Sequence, residues 1–156
     1  MIIVADTTPI NYLILIEQIH ILEILFERIV IPASVHEELS RSRAPVAVRT
    51  WVKNLPAWLE IRSPAAAHEL VTAKLDDGER DAIALALELN TPRIIIDELR
   101  GRRAARSHGL LVIGTLGILQ EAHHLGLLDL QTAITRLKTT NFHITPEMLK
   151  ALFKPD

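Results

Sequence analysis

Short apolar runs along this chain are separated by longer stretches in which apolar positions recur at helical spacing. Ile2 to Ala5 ends at Asp6, Ile29 to Ile31 at Pro32, Ile94 to Ile96 at Asp97, and Leu110 to Ile113 at Gly114. Runs that are apolar at every position, rather than every second one, suit strands buried on both faces of a parallel sheet. A further strand is expected near Trp58 to Arg62. Helices are expected from about Pro9 to Glu17, from Ile19 to Phe26, from a Ser34 cap through Leu39, near Val46 to Asn54, from Asp77 to Leu87, from about Arg100 to His108, and from Thr115 onward. Thr8 is the expected cap of the first helix, with Pro9 at its first position. Ser40 to Pro45 reads as a mobile basic loop. This alternation predicts right-handed crossovers and an α/β fold, a single domain over residues 1–156 with about five parallel strands between two helical layers. A helical part from about 128 to 156 packs on it.

Each of the strands before Asp6 and Asp97 delivers an acid where open parallel sheets bind ligands, in the crevice beyond the carboxyl ends of the strands. Thr115 stands in a similar place after Ile113. Glu79 lies on the same helical stripe as Ala82, Ile83 and Ala86, the face that packs on the sheet, so its carboxylate is directed into the crevice. Asp81 falls on another stripe and reads as a solvated first-turn acid. Glu38, on the helix after the second strand, is a fourth candidate; Glu37 competes with it on spacing alone.

Converging carboxylates repel one another unless a cation neutralises them. The chain has no cysteine, which excludes disulfides, thiolate zinc sites and cysteine nucleophiles and is compatible with a reducing cytosol. An oxygen-only donor set suits Mg²⁺ or Mn²⁺. Such an ion activates water and stabilises charge on a phosphodiester, with room for a second ion about 4 Å away. Metal-assisted phosphodiester hydrolysis is the reaction class these residues point to. The charge balance, 17 Lys and Arg against 19 Asp and Glu, speaks against a cationic coat, but with four acids assigned to one crevice the rest of the chain is net basic.

The pattern of Asp6, Thr7, Thr8 and Pro9, then Pro32, Val35, Glu38 and Leu39, then Gly78, Glu79, Ala82, Ile83 and Ala84, then Ile96, Asp97, Glu98, Gly101 and Arg102, resembles the PIN-domain nucleases. Within them it is most similar to VapC-like toxins of type II toxin–antitoxin pairs. Gly109, Gly114, Thr115, Leu116 and Gly117 extend the likeness over most of the chain. The resemblance implies a PIN-like three-layer fold, an Mg²⁺ or Mn²⁺ site, an RNA substrate cut to 5′-phosphate and 3′-hydroxyl ends, a homodimer and a cognate antitoxin. By position it implies Asp6, Glu38, Glu79 and Asp97 as catalytic acids, with Asp6, Glu79 and Asp97 on the metal. Thr8, Thr115 and Glu98 would support them. Glu79 stands where many relatives carry Asp, and Asn11 where a hydrophobic residue is common.

Other readings compete. Each acid alone is compatible with an ordinary helix-start or loop carboxylate. A PIN-like module that binds RNA or protein with little hydrolysis is the alternative function. An aspartyl-phosphate phosphatase would place a second Asp two residues after Asp6, where this chain has Thr8. Arg41, Arg43, Arg100, Arg102, Arg103 and Arg106 are candidates for RNA phosphates, against a plain solvated surface. Trp51, Trp58 and the stripe from Ile19 to Phe26 read as core or interface. His123 and His124 are adjacent and make a poor metal pair. The N-terminus shows no charged leader and no apolar run approaches the roughly 18 residues of a spanning helix, so a cytoplasmic protein with no membrane contact is expected. The mean hydropathy of +0.23 favours self-association or a protein partner.

Overall fold

A computed structural model describes residues 1–71 and 73–153, the side chains of 68 and 69 apart. The last residues of the expected C-terminal part, 154–156, lie outside it. The strands are β1 (Ile2–Ala5), β2 (Arg28–Ile31), β3 (Leu59–Ile61), β4 (Arg93–Ile95) and β5 (Leu111–Ile113). They form one sheet in the order β3-β2-β1-β4-β5, and every pairing is parallel. The helices are α1 (Thr7–Leu15), α2 (Ile21–Phe26), α3 (Ala33–Ser40), α4 (Val46–Val52), α5 (Ala67–Leu70), α6 (Asp77–Glu88), α7 (Leu99–Ser107), α8 (Thr115–His124), α9 (Leu130–Leu137) and α10 (Pro146–Leu152). Among the described residues no helix is long and apolar enough to cross a membrane.

Alternation along the strands divides the interior in two. Ile3, Ala5, Ile29, Ile31, Ile95 and Ile113 face one core with α1, α2, α4, α8 and α9. Val4, Val30, Ile94 and Ile96 face the other, with α6 and α7. Being apolar on both faces is why these strands show no period-two pattern in sequence. Leu130, Ala133, Ile134 and Leu137 of α9 enter the first core, and Leu149 and Leu152 of α10 pack at its margin. Trp51 and Trp58 pack there too, with ring centroids 6.0 Å apart. Of the stripe around α2, Ile19, Leu22 and Phe26 are buried and Ile24 is exposed.

Several element starts differ from expectation. The first helix begins at Thr7 with Asp6 as its cap, not Thr8. Pro9 fits one turn in because the first amides of a helix need no intrahelical acceptor. That helix stops at Leu15, and Glu17 takes a positive φ of 60° that ends it. Ser34 lies within the first turn of α3, whose cap is Pro32; its hydroxyl donates instead to Asp81 at 2.7 Å. Asp81 is therefore a half-buried tertiary acceptor, not a solvated acid. The chain winds from β1 outward to β2 and β3, then returns to the far side of β1 with β4 and β5. This reversal between β1 and β4 opens a crevice at their carboxyl ends.

Candidate functional site

Asp6 follows β1 directly. Its backbone N–H donates to the Ile95 carbonyl at 2.9 Å, continuing the pairing with β4, and the residue is 3% exposed. Burial is the main reason its carboxyl is held well above the usual carboxylate range; the backbone hydrogen bond from Thr7 opposes this, and the charges of Asp76, Glu79 and Glu38 add to it. Glu38, on the last turns of α3, accepts the Thr7 hydroxyl at 2.8 Å. Glu37 is exposed. Thr7, which had no expected role, is the residue that ties α1 to Glu38.

Glu79 arrives from the other side, on the first turn of α6. Asp76 caps that helix: its Oδ1 accepts the Glu79 backbone N–H at 2.8 Å, and its own N–H donates to Glu79 Oε1 at 3.3 Å. This reciprocal capping box fixes both residues. Glu79 Oε2 is left buried with no hydrogen-bond partner. Burial foremost, then the hydrogen bond and charge of Asp76, push the Glu79 carboxyl up to about 7. Two glycines make the approach possible. A Cβ at Gly78 would lie 3.2 Å from Asp6 Oδ1 and 3.5 Å from Glu38 Oε2, and one at Gly101 would lie 2.6 Å from Glu79 Oε2. Asp6, Glu38, Asp76 and Glu79 line one cavity of about 420 Å³ with Thr8, Glu98 and Arg100.

Asp97 lines the neighbouring cavity. Its Oδ1 accepts the Thr115 backbone N–H at 2.8 Å and its Oδ2 the Thr115 hydroxyl at 2.6 Å, so it anchors the first turn of α8. Burial raises its carboxyl, while the bonds from Thr115 and the Arg102 guanidinium oppose the rise. It faces a larger cavity of about 820 Å³, lined also by Tyr12, Arg102 and Phe142. Tyr12 donates to Asn141 at 2.6 Å and meets Phe142 edge-on. Asp6, Glu38 and Glu79 line one cavity and Asp97 the neighbouring one, and the two cavities share Thr8, Glu98 and Leu99.

The donor chemistry of the first cavity, oxygen only with one orphaned carboxylate oxygen, fits a hard divalent cation. Asp97 accepts one hydrogen bond from Thr115 on each oxygen, which leaves lone pairs free on both. Among the described residues no three acids or imidazoles stand close enough to share one ion. His123 is engaged structurally, its Nδ1 accepting the Leu130 N–H at 3.0 Å.

Arg41 and Arg43 line a cavity beside Glu38, Arg100 borders the acid cavity, and Arg102 borders the larger one. Arg103 and Arg106 are exposed on α7 and line none of the three. Among the described residues none of these six arginines forms an ion pair. Sequence reasoning missed Asp76, Thr7 and Tyr12. Asp76 had a signal, the spacing Asp76 to Glu79 of a capping box; Tyr12 sits one helical turn after Thr8, on the same face.

No curated protein and no solved structure matches the chain. The family model that matches it, over residues 2–155, is described as a PIN domain. That span takes in β1 to β5 and every acid of both cavities. The chain belongs to the PIN-domain family, whose members are generally nucleases.

Proposed function

We propose that this protein is a divalent-metal-dependent endoribonuclease and the toxin of a toxin–antitoxin pair. The observation that carries the reading is the acid cavity at the end of β1, where Asp6, Glu38 and Glu79 converge and a buried Glu79 oxygen has no partner. Leaving such a group unpaired is costly, and a bound cation removes that cost. One or two of the carboxylates of Asp6, Glu38 and Glu79, with water in the remaining positions, would hold Mg²⁺ or Mn²⁺; when bound, the ion supplies positive charge to the phosphodiester and acidifies water. Arg41, Arg43 and Arg100, free of ion pairs among the described residues, border the cavities on either side of Glu38 and orient the RNA phosphates. Thr8 stands between the acid cavity and the larger one, in reach of the strand as it crosses.

The test is cleavage of a panel of RNAs by the purified protein with Mn²⁺, wild type against Asp6→Asn. Loss of cleavage in the variant is expected; equal cleavage by both overturns the reading. One observation favours the alternative, an RNA- or protein-binding PIN module: no three acids share one ion's reach among the described residues. Calorimetric titration with Mn²⁺ separates the two, because binding without turnover selects the module. For the partners, a second copy of the chain or an antitoxin would cover exposed apolar side chains such as Leu111 on the free edge of β5, 64% exposed, and Leu99, 59% exposed. Light scattering on the protein, alone and co-expressed with the product of any small adjacent reading frame, tests that.

A further inference from the structure

The resemblance to PIN nucleases directs attention to Asp97, yet the side chain that governs Glu79 is Asp76. Glu79 has two carboxylate oxygens in different circumstances. Oε1 takes the Asp76 N–H, and Oε2 is buried and unpartnered. The residue is 6% exposed, so water does not satisfy that oxygen freely. Rotation of the carboxyl is opposed on two sides: the cap holds Oε1, and Gly101 leaves only the space of a hydrogen next to Oε2.

We propose that Asp76 is a positioning residue for cation binding: by capping α6 and pinning Glu79 through the reciprocal hydrogen bonds, it fixes the Glu79 carboxylate at the wall of the cavity shared with Asp6 and Glu38. The inference rests on the cation-binding reading above and adds to it a residue outside the acid set that the family resemblance implies. Asp76 itself lines the same cavity. Its role is indirect, through the geometry of Glu79. Partners that orient metal ligands by hydrogen bonds typically change metal affinity by roughly 10- to 100-fold when removed.

Calorimetric titration of the full-length protein with Mn²⁺ alone, with no RNA, tests this. Asp76→Ala removes the acceptor that holds the Glu79 amide and is expected to weaken Mn²⁺ binding about tenfold. Asp76→Asn keeps an acceptor of the same shape and is among the best helix caps, so it is expected to restore most of the affinity. Asp129→Ala is the control for lost stability: Asp129 caps α9 by accepting the Thr132 N–H at 2.9 Å, outside the three cavities. It should lower the melting temperature as Asp76→Ala does and leave Mn²⁺ affinity unchanged.

Wild-type affinity in Asp76→Ala overturns the proposal, as does equal weakening by Asp76→Asn, which would make the charge and not the cap the operative feature. If wild-type protein binds Mn²⁺, Asp6→Asn does not, and Asp76→Ala binds normally, the positioning role alone fails. If wild-type protein binds no Mn²⁺, the cation reading and the positioning role fail together.

Discussion

Two acids follow two adjacent strands of this sheet, and they have different surroundings. Asp6 after β1 is 3% exposed and lies among Glu38, Asp76 and Glu79; among the described residues no side chain donates to its carboxylate, and the other negative charges are close enough to raise its proton affinity. Asp97 after β4 has both oxygens bonded to Thr115 and a guanidinium nearby. The difference teaches that strand-end position alone does not set a carboxylate's surroundings. A carboxylate bonded on both oxygens anchors the element that donates to it; one left among like charges carries a cost that a cation can offset.

The sharpest way to break this comparison is to neutralise each acid in turn. Asp6→Asn is expected to lower RNA cleavage in Mn²⁺ by roughly a hundredfold or more, the scale of losing a group that organises charge in the transition state. Asp97→Asn is expected to cost stability first and to leave Mn²⁺ affinity within about threefold of wild type, since it lies in the other cavity. Kinetics and calorimetry on both variants check this. Equal loss of Mn²⁺ binding would merge the two regions into one ion site and restore Asp97 to the ligand set.

The acid cavity should also betray itself through pH in the absence of metal. Glu79 titrates at about 7 in the folded protein, against 4.5 as its ordinary value. The folded state therefore holds a proton that the unfolded chain releases at lower pH. Stability is greatest below the unfolded value and falls as pH rises through the window between the two. The expected loss is on the order of 1–3 kcal/mol, upper end if the whole shift is realised. Asp6 is shifted in the same direction. Melting curves in chelator from pH 4.5 to 8 should show the fall in wild type and a shallower one in Glu79→Gln. A parallel fall in both would place the titration outside Glu79.

Gly101 tests how closely the cavity wall is fitted. A methyl group there would come within 2.5 Å of Ile96 Cδ1 and 2.6 Å of Glu79 Oε2. Gly101→Ala gains helix propensity in α7 but must displace both of them, and a net loss of about 2 kcal/mol is expected. For a chain of this length that lowers the melting temperature by roughly 4–8 °C. A variant as stable as wild type would show that Glu79 moves without penalty, contrary to the pinned geometry.

Much of this arrangement is legible in the sequence, and the reasons are local. The strands are readable because burial on both faces makes each an unbroken apolar run, as Ile94 to Ile96 shows. Asp6, Glu79 and Asp97 are readable as residues because each ends or begins an element. What is not readable is which hydrogen bonds they make. Thr115 follows Asp97 by 18 positions, and only the pairing of β4 with β5 brings it near. Asp81 reads as solvated because Ser34, 47 residues away, cannot be placed against it from spacing. Asp76 is the instructive miss: its signal was local, the capping spacing, but its effect on Glu79 becomes visible only once the burial of Oε2 is known.

The smallest change separates the two regions most cleanly. Thr115 is fully buried, and its hydroxyl donates to Asp97 Oδ2 while its amide donates to Oδ1. Thr115→Val keeps the shape and the amide bond and deletes only the hydroxyl. One hydrogen bond to a charged acceptor is lost, and Asp97 retains a path to solvent in the larger cavity, so a cost of about 1–2 kcal/mol is expected. The Asp97 carboxyl, relieved of a bond that favours its charged form, should shift further upward. Mn²⁺ affinity should not change. Denaturant melts, carboxyl titration by NMR and Mn²⁺ calorimetry on this one variant read the three quantities separately. A fall in Mn²⁺ affinity would mean that the α8 anchor and the acid cavity act as one unit, because nothing in the deletion touches Asp6, Glu38 or Glu79.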